Sequence, residues 1–244
     1  MNNLIQCGQN LVKPEVVIDA LGPFVTDERK ARMTHVLDRR VGHIALGVED
    51  LANSFNGAAC IRTAESLGLQ DVVAAELRHE YPLPDVDRNP VTSGVNMYAH
   101  RWVDLHRLPT SDALIQWARQ RDMRILGTSP HATATLQDVS LDKPVLVLFG
   151  NERDGLREQT AAACDDVFQL PMYGFTESFN VTVSVAMTLS HLTGRLRAQW
   201  AESGQLGDLP QSRKKRLLAQ WYMQTVRRAP LIVSRFVKEQ DAQT

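Results

Sequence analysis

Asn56 and Arg62 stand in a segment whose residue types are suited to binding an anionic group. The segment NGAACIRT (56–63) follows a predicted strand, and three small residues (57–59) let a backbone or a ligand approach closely. Arg62 occurs in an otherwise apolar helical stretch, where a semi-buried guanidinium needs an anion or a carboxylate as its partner. The segment therefore predicts either an anion-binding arginine or a structural ion pair.

A second candidate segment, LFGNERDGL (148–156), begins in an apolar predicted strand. Gly150 ends that strand, charged residues follow, and Gly155 opens a predicted helix. Backbone N–H groups exposed at such a turn are suited to a loop that wraps around a ligand. The alternative is an ordinary strand-to-helix turn with a polar surface.

A third segment joins LPM (170–172) to ESFNVTVSVA (177–186) through a short loop. Ser178 or Asn180 is expected to begin a helix, because both residue types are good helix caps. Capping alone does not explain why three similar crossings, rich in glycine or in Ser and Asn, follow three different strands. In open α/β sheets, ligands bind outside the carboxyl ends of the strands, which is where these crossings lie.

An alternation of strands and helices must position the three crossings. It predicts an α/β fold with a mainly parallel sheet and helices on both of its faces. The run at 144–150 is wholly apolar, as in a strand that is buried on both faces. The predicted strands are 43–49, 71–76, 101–106, 123–128, 144–150 and 166–172, and the predicted helices are 26–40, 54–67, 89–98, 111–121, 156–164, 180–200 and 211–228.

Several other chemistries lack their signatures in this sequence. No GxGxxG follows a strand and no GxxxxGK[ST] occurs, so neither a dinucleotide-binding fold nor a P-loop is supported. The histidines and the three cysteines show no metal-ligand spacing, so no metal is expected. No apolar run is long enough to span a membrane and no leader segment is evident, so no membrane partner is expected and a reducing, cytoplasmic setting is the default.

Length and charge describe the chain as a whole. Its 244 residues make one large domain or two small ones. The net charge is −1, yet the stretch between Leu209 and Lys238 holds eight basic residues and no acidic one. A basic segment on an acidic body indicates either a polyanionic partner or a solvated basic helix.

The three segments, in their order and spacing, resemble motifs 1, 2 and 3 of the SPOUT superfamily, in its TrmH (SpoU) branch of RNA ribose 2′-O-methyltransferases. NGAACIRTA is similar to the pattern N-x-x-A-x-x-R-T-A, LFGNERDGL to G-x-E-x-x-G, and LPMYGFTESFNVTVSVA to I/L-P-M…S-L-N-V-S-V-A. The resemblance runs from about Arg29 to Arg197, and the flanking segments look like the extensions of tRNA-modifying members. Ser54 and Phe179 depart from the pattern, where the family usually has proline and leucine.

The resemblance implies a fold and partners that periodicity alone does not indicate. It implies a deep trefoil knot in the C-terminal part of the sheet, S-adenosylmethionine as the cofactor, and a homodimer whose active site is completed across the subunit interface. It also implies an N-terminal helical extension (1–41), a SPOUT methyltransferase domain (42–200), and a linker with a basic C-terminal helix (201–244).

The resemblance also assigns roles to individual residues. The implied catalytic group is Asn56, Arg62, Glu152, Ser178 and Asn180. The residues expected to line or shape the cofactor pocket are Thr128, Phe149, Gly150, Asn151, Gly155, Leu170, Met172 and Phe179. The residues expected to contact RNA phosphates are Arg32, Arg39, Arg40, Arg213, Lys214, Lys215 and Arg216. Trp221 and Tyr222 are expected to pack in the interior rather than to stack on bases.

Two roles are open for Arg62. It either passes its proton to a substrate phosphate and then acts as a base, or it stays cationic and stabilises the developing alkoxide. We favour the second role, because a guanidinium stays protonated at any ordinary pH.

The implied activity is methyl transfer to a ribose 2′-hydroxyl of RNA, with a guanosine in the D-loop of tRNA as the favoured target. One alternative is 2′-O-methylation of ribosomal RNA, whose enzymes often carry an N-terminal RNA-binding domain for which the residues before the first strand leave no room. Another is a catalytically silent RNA-binding protein of the same fold, against which the presence of Arg62 and Asn180 argues. The third is an unrelated doubly wound enzyme for a small metabolite.

Overall fold

The computed structural model of the protein describes residues 4–8, 10–81 and 98–241. They divide into a larger unit, Val41–Gln205, and a terminal unit that combines Met1–Arg40 with Leu206–Thr244. The predicted helix at 89–98 falls outside the described residues apart from its last position, so it stays a prediction. None of the described helices is long and apolar enough to cross a membrane.

The strands and helices alternate through most of the chain. The strands are β1 (Ile5–Cys7), β2 (Asn10–Val12), β3 (Ile44–Glu49), β4 (Asp71–Ala75), β5 (Asp104–Leu108), β6 (Arg124–Thr128), β7 (Ala134–Thr135), β8 (Val145–Phe149) and β9 (Asp166–Gln169). The α-helices are α1 (Pro14–Leu21), α2 (Asp27–Leu37), α3 (Ser54–Ser66), α4 (Ser111–Arg119), α5 (Glu158–Ala162), α6 (Val181–Ala201), α7 (Gln211–Thr225) and α8 (Ala229–Asp241).

A seven-stranded sheet forms the centre of the larger unit, with the strand order β5-β4-β3-β8-β6-β9-β7 and parallel pairing throughout. This confirms the predicted parallel α/β sheet. β8 lies between β3 and β6, with Val48 opposite Phe149, so the carboxyl ends of β3 and β8 are adjacent. β9 lies between β6 and β7. The loops that follow β3, β8 and β9 therefore begin at the same edge of the sheet.

Both faces of the sheet are covered by helices, as the apolar run in β8 indicates. Val145, Val147 and Phe149 pack on one face in a cluster that includes residues of α3 and α6. Leu146 and Leu148 point to the opposite face and pack in a second cluster with residues of α4. Alternate residues of one strand are thus buried against different helices, which requires every position of β8 to be apolar.

Two predicted strands have different bounds in the structure. The strand predicted at 101–106 is β5, which begins at Asp104 opposite Asp71 of β4, because Ala99–Arg101 forms a 3-10 turn instead. The strand predicted at 166–172 ends at Gln169. Pro171 follows soon after and has no backbone N–H to donate to a neighbouring strand, so residues 170–172 turn away from the sheet.

The terminal unit contains more structure than the predicted helical extension and basic helix. β1 and β2 form an antiparallel hairpin, and α1 follows it; neither was predicted from the sequence. The helix predicted at 211–228 is α7, which ends at Thr225, and α8 is a further helix that was not predicted. Arg228 adopts a φ of +60°, which a continuous α-helix does not contain, and Pro230 lies in the first turn of α8.

Candidate active site

A cavity of about 910 Å³ opens in the larger unit, where the loops after β6, β8 and β9 meet. Three predicted catalytic residues, Glu152, Ser178 and Asn180, are among its lining residues. The eight residues predicted for a cofactor pocket also all line it: Thr128, Phe149, Gly150, Asn151, Gly155, Leu170, Met172 and Phe179. Segments far apart in the sequence therefore form one concave site at the carboxyl edge of the sheet.

A chain of side-chain hydrogen bonds joins the three segments that the sequence singles out. Asn56 Nδ2 donates to Glu152 Oε1 at 2.5 Å, and Asn180 Nδ2 donates to Asn56 Oδ1 at 3.4 Å. Because a carboxylate can only accept, Asn56 must donate through its amide nitrogen, which leaves Oδ1 to accept from Asn180. Each asparagine amide is thereby held in one orientation.

Asn180 and Asn56 are each held in place at the N-terminus of a helix. Asn180 is the N-cap of α6, and its Oδ1 accepts hydrogen bonds from Thr182 N at 2.8 Å and Thr182 Oγ1 at 2.6 Å. Asn53 caps α3 in the same manner by accepting from Phe55 N at 2.9 Å and from Asn56 N at 3.2 Å. The cap predicted at Ser178 or Asn180 is therefore at Asn180, and it satisfies backbone donors that the helix leaves open.

Hydrogen bonds to the side chain and the backbone of Asn151 close the loop after β8. Asn151 Oδ1 accepts from Arg153 N at 2.9 Å and Asp154 N at 2.7 Å, while Gly155 N donates to Asn151 O at 3.1 Å. Gly155 has a φ of +67°, and a Cβ on Gly150 would lie 1.9 Å from the carbonyl carbon of Gly155. Both glycines are therefore required by the turn itself.

Two carboxylates at the carboxyl end of β3, which were not predicted from the sequence, bind segments that surround the site. Glu49 is buried; its Oε1 accepts from the hydroxyls of Ser111 and Thr160, and its Oε2 accepts from Arg157 N at 2.8 Å. Asp50, also buried, binds Arg78. The available signal was two consecutive acids at the carboxyl end of a wholly buried strand, since buried carboxylates need partners.

The charge state of Asp50 depends on its hydrogen bonds. Burial, the largest single effect, raises the pKa of Asp50, but hydrogen bonds from the Arg78 guanidinium and from the backbone N–H groups of Arg78 and His79 oppose it. Together they lower its pKa from 3.8 to about 2. Asp50 is therefore ionised at neutral pH.

The thiol of Cys60, near Glu152, is fully buried. Burial, and then the negative charge of Glu152, raise the pKa of Cys60 to about 12. A thiol needs to ionise in order to act as a nucleophile. Cys60 is therefore protonated at neutral pH, which does not favour a role as a nucleophile.

Arg62 lies elsewhere than the sequence analysis expected. Its side chain is exposed rather than semi-buried, because α3 buries Gly57, Ala58, Cys60, Ile61 and Ala64 on its inner side. Phe55 precedes Arg62 by seven residues and shares the outer side of the helix with it. The described residues that line the cavity do not include Arg62.

Apolar side chains are exposed beside the cavity. Val183 and Met187 are four residues apart on one side of α6, and Phe179 directly precedes the N-cap of the helix; we call these three residues the α6 stripe. Tyr173 and Phe175 in the preceding loop are 96% and 110% exposed. Several large apolar side chains exposed in one segment of the chain are typical of an interaction site.

The bases of the terminal unit differ in their accessibility. Arg32 and Lys215 are exposed, whereas Arg39, Arg213, Lys214 and Arg216 are half-buried. Lys214 Nζ pairs with Asp38 at 2.9 Å and Lys215 Nζ with Glu15 at 3.4 Å. Arg40, which was also predicted to contact RNA, is fully buried with its guanidinium 5.5 Å from the centre of the Trp221 ring, so the structure does not favour that role. Trp221 and Tyr222 are buried, as predicted.

The described residues contain no group of three or more His, Cys, Asp or Glu side chains that could hold a metal ion.

Comparisons with known proteins agree with this architecture. A tRNA (guanosine(18)-2′-O)-methyltransferase of Borreliella burgdorferi is 31% identical over 211 residues, which are 86% of this chain and 91% of that protein. A 23S rRNA (guanosine-2′-O-)-methyltransferase of Coxiella burnetii is 26% identical over 162 residues, 66% of this chain and 62% of that protein. The crystal structure of the A. aeolicus TrmH/SpoU tRNA modifying enzyme has the same fold, with a TM-score of 0.69 and 20% identity over 82% of this chain and 98% of that one.

The family match covers the part of the chain that forms the site. Residues 43–190 match the model of the SpoU rRNA Methylase family, and this range contains all three crossings joined by the Asn180–Asn56–Glu152 hydrogen bonds. The chain belongs to the SpoU rRNA methylase family.

Proposed function

We propose that this protein transfers a methyl group from S-adenosylmethionine to a ribose 2′-hydroxyl of RNA. The observation that carries the proposal is the Asn180–Asn56–Glu152 chain of hydrogen bonds at a cavity built by three loops. Membership of a methylase family and the names of the relatives support the same reaction.

The cavity fits an adenosine-containing cofactor. Its volume of about 910 Å³ lies within the range of roughly 300–1,000 Å³ that is common for ligand pockets. Leu170, Met172 and Phe179 offer apolar surface for a purine, while the loop around Gly150 and Gly155 brings backbone polar groups to the wall. When bound, S-adenosylmethionine supplies a methyl group that its sulfonium makes electrophilic.

The polar side chains then have to position and activate the ribose. Glu152 and Asn180 line the cavity and are fixed relative to each other through Asn56, so they form a preorganised set of hydrogen-bonding groups. Ser178 lies beside them in the lining. Arg62, as a cation, is proposed to stabilise the oxygen anion that develops when the 2′-hydroxyl loses its proton.

We propose a homodimer in which Arg62 of one copy completes the site of the other. Arg62 stands on the outer side of α3 with Phe55, outside the residues that line its own cavity. The α6 stripe offers an apolar surface next to that cavity. Burial of these two surfaces against a second copy accounts for both observations.

The favoured substrate is tRNA, with a guanosine of the D-loop as the target. The Borreliella burgdorferi tRNA enzyme matches 86% of this chain, which includes much of the terminal unit, whereas the Coxiella burnetii rRNA enzyme is matched over only 62% of its own length. The bases proposed to contact RNA phosphates are Arg32, Arg39, Arg213, Lys214, Lys215 and Arg216.

The remaining proposals concern organisation. The methyltransferase domain is proposed at 42–200, flanked by the segments 1–41 and 201–244. A trefoil knot is proposed for the C-terminal part of the sheet, and the insertion of β8 and β9 between strands that precede them in sequence supports it. A cytoplasmic location is proposed from the tRNA substrate.

Methyl transfer from labelled S-adenosylmethionine to bulk tRNA and, separately, to rRNA tests the proposal, with the wild type beside Arg62→Ala. We expect 2′-O-methylguanosine in tRNA from the wild type and at least a hundredfold slower transfer by the variant, in the range of lost oxyanion stabilisation, about 10²–10³-fold. Label in rRNA alone would overturn the proposal that tRNA is the substrate. No label in either RNA would overturn the proposed methyl transfer.

A further inference from the structure

Asp50 is a rigid attachment point beside the cavity. Its carboxylate is fully buried and accepts from Arg78 N at 2.7 Å, His79 N at 3.0 Å and Arg78 Nε at 2.5 Å. Asp50 N donates to Ala75 O at 2.8 Å, and the residue adopts a φ of +54°. A non-glycine residue keeps this conformation only where the surrounding contacts determine it. Arg78 is therefore fixed through its backbone N–H and its Nε.

A second nitrogen of the same guanidinium reaches the loop that carries Glu152. Arg78 Nη2 donates to Asp154 Oδ2 at 2.9 Å, and Asp154 N donates to Asn151 Oδ1 at 2.7 Å. Asp154 lines the cavity and lies two residues after Glu152. The planar fork of arginine can hold two carboxylates at once, which a lysine ammonium cannot do with the same geometry.

Global stability accounts for the pairing of the buried Asp50 with Arg78, but not for the contact between Arg78 and Asp154. The side chains of Arg78 and Asp154 are 51% and 46% exposed, and ion pairs with this exposure contribute little to the free energy of unfolding. Ligand geometry is far more sensitive, because a shift of about 1 Å in a positioning group can change a rate by about a hundredfold.

We propose that Arg78 is a positioning residue that holds the 151–155 loop, and with it Glu152 and the cofactor pocket, at the distance from β3 that cofactor binding requires. The inference rests on the proposed function, because it names S-adenosylmethionine as the ligand whose binding depends on this contact. Arg78 does not line the cavity among the described residues, so it acts through Asp154.

A double-mutant cycle on cofactor affinity tests the proposal. Arg78→Gln, Asp154→Ala and the double variant are titrated with S-adenosylmethionine by calorimetry, and the KM for cofactor and the kcat are measured with tRNA. We expect each single variant to raise the Kd and the KM about tenfold, with a smaller change in kcat. We expect the double variant to bind no more weakly than either single variant, because both remove one contact.

Arg107 offers a matched control. It also joins two carboxylates, Glu76 at 2.5 Å and Glu80 at 3.5 Å, and it is absent from the described lining of the cavity. Arg107→Gln is expected to change the Kd by less than twofold. Asp154→Ala leaves the Asp50–Arg78 contacts intact, so it tests the loop contact even if Arg78→Gln does not fold.

The outcomes separate this inference from the proposed function. If the wild type binds the cofactor and the effects of Arg78→Gln and Asp154→Ala add, or if neither variant weakens binding, the positioning role is overturned while the function stands. If the wild type itself neither binds S-adenosylmethionine nor transfers methyl groups, both are overturned.

Discussion

Asn180 takes part in two interactions that use different atoms of the same amide. Its Oδ1 caps α6 through Thr182, and its Nδ2 donates to Asn56, which in turn donates to Glu152. Asn180, Asn56 and Glu152 were identified from the sequence, because each lies in a short motif whose residues are close together in the chain. The partners Asp50 and Arg78 were not identified, because no local pattern relates residues 28 positions apart.

Asn180→Asp separates capping from catalysis. An aspartate retains the oxygen that caps α6 and suits the helix N-terminus, but it has no N–H to donate to Asn56. We expect an unfolding free energy within about 0.5 kcal/mol of the wild type and a loss of methyl transfer of about a hundredfold. Denaturant unfolding and transfer assays measure the two effects. Asn180→Ala is the control, expected to lose about 1 kcal/mol as well as activity.

The lowered pKa of Asp50 makes its contribution to stability depend on pH. A carboxylate whose folded pKa lies below its unfolded value stabilises the fold above the unfolded pKa, and this contribution is lost as the pH falls through the folded pKa. Unfolding free energies measured from pH 7 downward should therefore show a gap between wild type and Asp50→Asn that narrows as the pH falls from about 4 toward 2. A gap that is independent of pH would contradict this assignment.

At the scale of elements, the strands that are buried on both faces were predicted well and the chain ends were not. β3 and β8 are almost continuously apolar, so their pattern indicates strands that are buried on both faces. The three-residue strands of the β1–β2 hairpin are too short to show the alternation of apolar and polar residues that predicts a strand. The separation of α7 from α8 depends on a positive φ at Arg228, and an arginine does not predict that conformation.

The turn after β8 is expected to tolerate no side chain at Gly150. A Cβ there would overlap the backbone of Gly155, and backbone cannot move aside as a flexible side chain can. We predict that Gly150→Ala costs about 3 kcal/mol of unfolding free energy, at the upper end of typical overpacking, and abolishes cofactor binding. Gly174→Ala, in open space within the loop after β9, is the control and should leave both unchanged.

At the scale of the whole molecule, strand order was beyond the reach of the sequence. Alternation predicted a parallel sheet, but the position of β8 between β3 and β6 depends on pairing between strands that are far apart in the chain. The exposure of Arg62 was missed for a related reason. Its apolar neighbours in sequence face inward, while the arginine projects from the outer side of α3.

A charged residue in the α6 stripe should disrupt the proposed dimer. Val183→Glu and Met187→Glu place carboxylates where we propose that apolar surface is buried against a second copy. We expect sedimentation to show a monomer and methyl transfer to fall at least tenfold, because Arg62 no longer reaches the other site. Leu231→Glu, at an exposed leucine of α8, should change neither result. A wild-type protein that sediments as a monomer and is active would refute the dimer.

The central claim is that the methyl group is transferred to a ribose oxygen. The most direct measurement compares two tRNA transcripts, one unmodified and one with 2′-deoxyguanosine in place of guanosine in the D-loop, each incubated with labelled S-adenosylmethionine and analysed by nucleoside mass spectrometry. We predict 2′-O-methylguanosine in the first transcript and no label in the second, because the acceptor oxygen is missing. Equal labelling of both, with the methyl group on a base, would contradict the account.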